Sequence, residues 1–302
     1  MRDYAELTRR LEPPSGAVDA VLDTDAYNEV DDQFALAYML RSPEKIRTLA
    51  VYAAPFFNKR SSGPADGMEK SYNEIHKVLR LAGGENTPRV CRGATSFLPD
   101  EKTPVVSDAA RDLAGLALEH TPEKPLYVIA IAAITNVASA ILLEPRIIDR
   151  IVIVWLGGHA WDWPDTHEFN MMQDVAAARV VFGCGAAVVQ LPCAGVVSVF
   201  HTSRPELEFW LRGKNALCDY LVDNTIEYMD AGRPGRLWSK VIWDVTAPAW
   251  VVGGFTLDRL APAPRPQYDD HYSFDPTAHP VRYVYGIRRD SLYADLFAKL
   301  AR

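Results

Sequence analysis

Residues 18–32 read VDAVLDTDAYNEVDD, a short apolar run that passes straight into Asp23, Asp25, Asn28, Glu29, Asp31 and Asp32. Five carboxylates within ten residues raise one another's pKa when held beside a buried strand end, and the repulsion is costly unless a positive charge neutralises it. A divalent cation does so most simply. The donors are all oxygens with no His or Cys nearby, which points to Ca2+, with Mg2+ second, rather than to zinc. A plainer reading accounts for part of the cluster: Asp31 and Asp32 directly precede QFALAYML, which has helical spacing, and acids at a helix start suit its dipole. That reading leaves Asp23 and Asp25 unexplained at the strand end, where open α/β sheets bind their ligands.

Outward from this stretch, apolar runs recur at 46–53, 126–131, 151–156 and 186–191, after the first at 18–22. None alternates with polar residues, as expected of strands covered on both faces. Helical patterns fall at 31–41, 66–81, 107–119, 136–143, 175–182 and 204–230. The pattern predicts an α/β fold, an open, mostly parallel sheet flanked by helices, Rossmann-like. Loops are marked by SSGP at 61–64, Gly-Gly at 83–84 and 157–158, and APAPRP at 261–266. The chain reads as a single domain over 1–302, with a mostly helical insertion around 204–240 and a late antiparallel strand pair within 265–285.

Composition narrows the function classes. The 302 residues are 48% hydrophobic and 24% charged, enough for a full core, and carry a net charge of −7. Nucleic-acid binding needs a basic face, which is absent as a run. No apolar span or signal-like segment is evident, so a cytoplasmic protein free of membrane is expected. Cys91, Cys184, Cys193 and Cys218 show no metal spacing and read as reduced and mostly buried. The histidines are scattered and read as structural or surface residues.

Four further clusters follow predicted strands. PFFN ends at Asn58, and AAITN ends in Thr135 and Asn136, which read as caps of the next helix. Leu156 ends the 151–156 run and is followed by GGHAWDWPDTHEFN, where aromatic, acidic and amide groups gather as in a sugar or nucleobase site. Far downstream, VIWD at 241–244 begins an apolar helix and offers Trp243 and Asp244.

In this order the motifs resemble the inosine-uridine preferring, calcium-dependent nucleoside hydrolases, over roughly residues 19–252; a co-linear set is more specific than any one motif. The resemblance implies a nucleoside substrate, a role in nucleoside salvage, and assembly as a homodimer or homotetramer. It also implies that Asp25, Asp32, the Ile131 carbonyl and Asp244 bind Ca2+, and that Asp25 is the general base. Asp31 and Asn58 match contacts to ribose hydroxyls, Glu168 and Asn170 match the pair that holds the sugar, and Asn28 and Leu156 join the substrate site.

Three departures stand out. The loop Ala-Tyr-Asn-Glu-Val between Asp25 and Asp31 is longer than usual, so that Asn28 or Glu29 could replace Asp31. The segment after Gly158 is short and lacks a sugar-binding Asn, a role open to Asp162. Trp243 stands where many members carry a His that assists the leaving base, which implies a purine lean through stacking on Trp243 or Trp161. Two rival readings remain. One is a Mg2+-dependent phosphohydrolase acting through Asp23 and Asp25, for which no suitable lysine is found in the sequence. The other is a non-catalytic nucleoside- or sugar-binding protein, suggested by the rebuilt loop.

Overall fold

The computed structural model describes residues 4–83, 87–231 and 235–302; Gly84 of the expected 83–84 loop, and part of the 204–240 insertion, lie outside the described residues. The strands are β1 (Val18–Thr24), β2 (Ile46–Ala53), β3 (Arg89–Arg92), β4 (Leu126–Ala130), β5 (Ile151–Leu156), β6 (Ala187–Leu191), β7 (His201–Thr202), β8 (Lys240–Val241), β9 (Thr256–Pro262), β10 (Pro264–Pro266), β11 (Tyr272–Phe274) and β12 (Pro280–Ile287). The helices are α1 (Tyr4–Arg10), α2 (Asp32–Leu40), α3 (Pro64–Ala82), α4 (Asp108–Leu118), α5 (Thr135–Leu143), α6 (Phe169–Gln173), α7 (Val175–Gly183), α8 (Arg204–Leu211), α9 (Ala216–Asp230), α10 (Thr246–Val252) and α11 (Arg289–Leu300).

The main sheet has eight strands in the order β3-β2-β1-β4-β5-β6-β12-β9, parallel throughout except for β9 against β12. β4, β5 and β6 are buried at every position. Successive side chains serve opposite cores: Val152, Val154 and Leu156 pack with residues of α2, α3, α10 and α11, whereas Ile151, Ile153 and Trp155 pack with α4, α5 and α7. Two covered faces therefore require nearly continuous apolar runs, with Gln190 of β6 the one amide among them. No described helix is long and apolar enough to cross a membrane.

The expected helix over 204–230 is two helices. Gly213, at φ +74°, turns the chain in the left-handed region, and Asn215 starts α9 by accepting a hydrogen bond from the Cys218 N–H. The antiparallel pair expected within 265–285 is β10 with β11, while β12 leaves it to join the main sheet. The exposed, mixed patterns of β3 and β9, and the terminal helix α11, had no counterpart in the sequence reading.

Candidate active site

β1 pairs with β2 on one side and β4 on the other, so the chain reverses its march across the sheet there and the loops leaving the carboxyl ends part. A cavity of about 290 Å3 opens at that point. Asp25, Asn28, Asp31 and Asp32 reach it from the β1–α2 connection, Asn58 from beyond β2, Ile131 from beyond β4 and Leu156 from the end of β5. Glu168 and Asn170 arrive with α6, and Trp243 and Asp244 with the turn that leads into α10. Every proposed metal ligand, and every proposed substrate contact except Trp161 and Asp162, thus lines one cavity. Glu29, His159, His167, Phe169 and Cys193 line it too.

Asp31, Asp32 and Asp244 each offer a carboxylate oxygen, and these atoms lie within 4.8 Å of one another. Asp25 joins them electrostatically: burial pushes its carboxyl well above the usual range, and the charge of Asp32 adds to this. Its Oδ2 is buried with no hydrogen-bond partner among the described residues. Asp32 is pushed up to about 7 by burial and then by the charge of Asp31, although Thr24 Oγ1 donates to its Oδ1 at 2.5 Å. Asp244 is pushed well above its ordinary value by burial, Asp31 and Asp32. Buried acids that crowd one another and offer only oxygens form a donor set fitted to a hard divalent cation.

Within this group Asp31 is different. Its Oδ2 accepts from the Trp243 N–H at 2.9 Å and its Oδ1 from Lys240 Nζ at 3.2 Å. Lys240 was not singled out in the sequence, and its partners are Asp31 and Glu29, not the Asp23 and Asp25 of the phosphohydrolase reading. It is buried and also donates to Glu29 Oε2 at 2.6 Å. Burial works against its charge, but Asp31 and Glu29 outweigh burial and hold its pKa above the ordinary value. No local signal marked it, since Ser-Lys-Val-Ile is unremarkable and its partners are remote in sequence.

Asp23, the nucleophile of the phosphohydrolase reading, does not line the cavity. Its Oδ1 accepts from Asn136 Nδ2 at 2.8 Å, and burial raises its pKa to about 7. Asn136 and Thr135 are not the caps expected of them. No side chain caps α5; Asn136 Oδ1 accepts from the Ala94 N–H, and Thr135 Oγ1 donates to Asp174 at 2.6 Å. Asn136 thus ties the end of β1 to the segment after β3, and Thr135 ties the start of α5 to the start of α7.

The far wall is held by backbone. Glu168 Oε1 accepts from the Asn170 N–H at 3.0 Å, and its Oε2 accepts from the N–H groups of Met171 at 3.0 Å and Gly158 at 2.8 Å. Burial raises its pKa, and these N–H groups oppose the rise. Asn170 Nδ2 donates to the Leu156 carbonyl at 3.0 Å, so Leu156 contributes through its backbone. The Gly-Gly pair explains the close approach: Gly158 has φ +76°, and a Cβ there would stand 2.0 Å from the Tyr272 hydroxyl. Trp243 is half-buried, lining the cavity and packing on the core. His159 accepts from the Ala194 N–H through Nδ1 at 3.2 Å, and burial lowers its pKa. Two expectations fail here. Trp161 and Asp162 line a separate depression, where Trp161 lies against Tyr283 with ring centroids 4.0 Å apart, so neither faces the acidic cavity.

Fold and site together define an open α/β protein that gathers buried carboxylates and one half-buried tryptophan around a small cavity at its topological switch point. The inosine-uridine preferring nucleoside hydrolase family model matches residues 20–261, and the chain belongs to this family. The inosine-uridine preferring nucleoside hydrolase of Leishmania major is 35% identical over 94 residues, which is 30% of this chain and 30% of that protein. Among solved structures, a purine-preferring ribonucleoside hydrolase from Gardnerella vaginalis has a TM-score of 0.74 at 18% identity, covering 94% of this chain and 98% of the other. A plant nucleoside hydrolase has a TM-score of 0.73 at 20% identity, covering 94% and 99%. At such identities the structural likeness shows a shared fold.

Proposed function

We propose that this chain is an N-ribosyl hydrolase that splits ribonucleosides into ribose and free base, with a purine lean. The observation that carries the reading is the unpartnered, buried Oδ2 of Asp25 beside Asp32 and Asp244, in the cavity that Trp243 also lines. Asp25, Asp32, the Ile131 carbonyl and Asp244 would hold Ca2+, or less well Mg2+, a fit supported by the oxygen-only donors and that orphaned oxygen. When bound, the ion supplies the positive charge that keeps these carboxylates ionised and anchors the sugar and the attacking water.

The chain's own residues do the remaining work. Asp25 takes the proton of the attacking water at Oδ2. Asp31, Asn28 and Asn58 present polar atoms to the sugar hydroxyls, with Asn58 Nδ2 bonded to Asn28 Oδ1 at 2.6 Å so that both amides are oriented. Glu168, held by three backbone N–H groups, and Asn170 grip the opposite side of the ribose. Negative charge around the ring stabilises the oxocarbenium-like sugar as the bond to the base breaks. Trp243 stacks on the departing base, whose larger purine surface it favours. A homodimer or homotetramer belongs to the same reading and is checked by light scattering.

The test is a nucleoside panel assayed with EDTA-stripped protein, with and without added Ca2+. Ribose and free base should appear only with the ion, and inosine and adenosine should react faster than uridine and cytidine. Nucleoside binding without release of base under either condition would replace the hydrolase by a binding protein.

A further inference from the structure

The neighbouring aspartates of the doublet meet different surroundings. Among the described residues, Asp32 has only the Thr24 hydroxyl as a side-chain hydrogen-bonding partner outside the acidic group. Asp31 instead rests on Lys240, whose ammonium has three donors and three acceptors at hand: Glu29 at 2.6 Å, the Val241 carbonyl at 2.8 Å and Asp31 at 3.2 Å. The lysine sits in the β7–β8 ribbon, where it pairs with Thr202. Glu29, its other partner, is also approached by the Tyr228 hydroxyl of α9 at 3.4 Å. Glu29 belongs to the five residues that separate Asp25 from Asp31, so the lengthened loop is what supplies the lysine's second carboxylate.

Outside the acidic group, each oxygen of Asp31 meets one donor among the described residues, Lys240 on Oδ1 and the Trp243 N–H on Oδ2. A carboxylate oxygen has room for a second donor. The carboxylate is therefore fixed in place yet able to accept a hydroxyl, and Lys240 offsets part of the burial that raises its pKa. We propose that Lys240, braced by Glu29, is a positioning residue that holds Asp31 as an acceptor for a ribose hydroxyl and keeps that carboxylate out of the metal's coordination shell. The proposal rests on the ribonucleoside reading above, and it gives the helical insertion and the long loop a shared purpose in the sugar site.

The experiment compares wild type, Lys240→Met and Glu29→Gln, all in the full chain with Ca2+, on inosine, 2′-deoxyinosine and 3′-deoxyinosine. Lys240→Met should lower kcat/KM for inosine by about ten- to a hundred-fold, the worth of a hydrogen bond to a charged group. On the deoxy analogue that lacks the hydroxyl held by Asp31, the loss should be within about threefold, since that bond is already missing. Calorimetric Ca2+ affinity should stay within about threefold of wild type, because the lysine's partner is not a ligand. Glu29→Gln should show the same pattern more weakly, and it carries the test if Lys240→Met does not fold. Equal losses on all three substrates, a collapse of Ca2+ binding, or no loss on inosine would each overturn the proposal. Wild-type turnover of inosine tests the hydrolase reading separately. If wild type binds inosine without cleaving it, the same ratios read from calorimetric Kd values decide the role of Lys240.

Discussion

At the amino end of β1, Asp19 stands across from Arg47 of β2 in the strand register and accepts two hydrogen bonds from its guanidinium, each 2.5 Å long. His120 Nε2 lies 3.3 Å away. The Arg47 hydrogen bonds hold the Asp19 carboxyl below the usual carboxylate range against a smaller opposing effect of burial. At the carboxyl end of the same strand, Asp23 and Asp25 are fully buried and pushed the other way, and neither is paired with a basic side chain among the described residues. One residue type on one strand therefore serves as a satisfied surface charge at one end and as an unmet demand for positive charge at the other. The difference coincides with the cavity that opens at the carboxyl end of the sheet, since buried acids left without a cation are costly to a fold and gather at sites.

The hardest test of this contrast is Asp25→Asn. Turnover should fall by about a hundred- to ten-thousand-fold, since the amide cannot take the water's proton. The ion-free protein should melt no lower than wild type, because a crowded buried charge has been removed. Wild-type turnover in this variant would move the base to Asp31 or Glu29 and dissolve the special standing of Asp25.

On the base side, Trp243→Ala should lower kcat for inosine by about tenfold while raising KM less, as expected when the help comes while the leaving group gains charge. A uridine preference in the wild type, or a Trp243→Ala effect confined to the melting temperature, would make this tryptophan a core residue that happens to reach the cavity.

Stability against pH sharpens the same comparison. Folded Asp32 and Asp23 titrate at about 7, whereas unfolded carboxylates do so near about 4. Between those values the folded state holds protons that the unfolded state has released, so ion-free stability falls as pH rises from about 4 to 7. Calcium should reverse this by stabilising the ionised form, adding about 2.7 kcal/mol at a hundredfold excess over Kd. Melting curves with EDTA and with Ca2+ at pH 5 and pH 8 should therefore diverge at the higher pH. A gap equal at both would mean that the ion is not held by the raised carboxylates.

The smallest effect belongs to the opposite end of the strand. Asp19→Ala breaks a partly exposed pair and should cost less than about 1 kcal/mol in chemical denaturation, with kinetics and Ca2+ affinity unchanged. A change in Ca2+ affinity would show that the two ends of β1 are not independent.

Much of this protein was written locally. The runs at 46–53 and 151–156 became β2 and β5 with those bounds; β5 is buried at every position and wholly apolar, whereas β2 admits Arg47 and Thr48 only at its more exposed amino end. The oxygen-only chemistry of the acidic cluster and the order of the motifs were likewise visible, and Asp25, Asp32, Asn58, Glu168, Asn170 and Asp244, named from them, converge on one cavity. Where local patterning was weak, the reading slipped: Gly213 and Asn215 split one expected helix into two, and the half-exposed strands β3 and β9 carry no clear period.

What tertiary structure alone decided is which polar groups meet. Nothing near Lys240 in the chain shows that its ammonium comes to rest on Glu29, 211 positions away, or that Asn136 would reach back to Asp23 instead of capping its own helix. Nor could spacing reveal that Trp161 and Asp162 turn to a separate depression while His159, two residues before Trp161, lines the acidic cavity. The reason is physical. Strand and helix patterns are set by neighbours a few residues apart, so the sequence displays them directly. The partner of a buried charge is chosen by the loops that the finished sheet brings together, and only the folded chain specifies that distance.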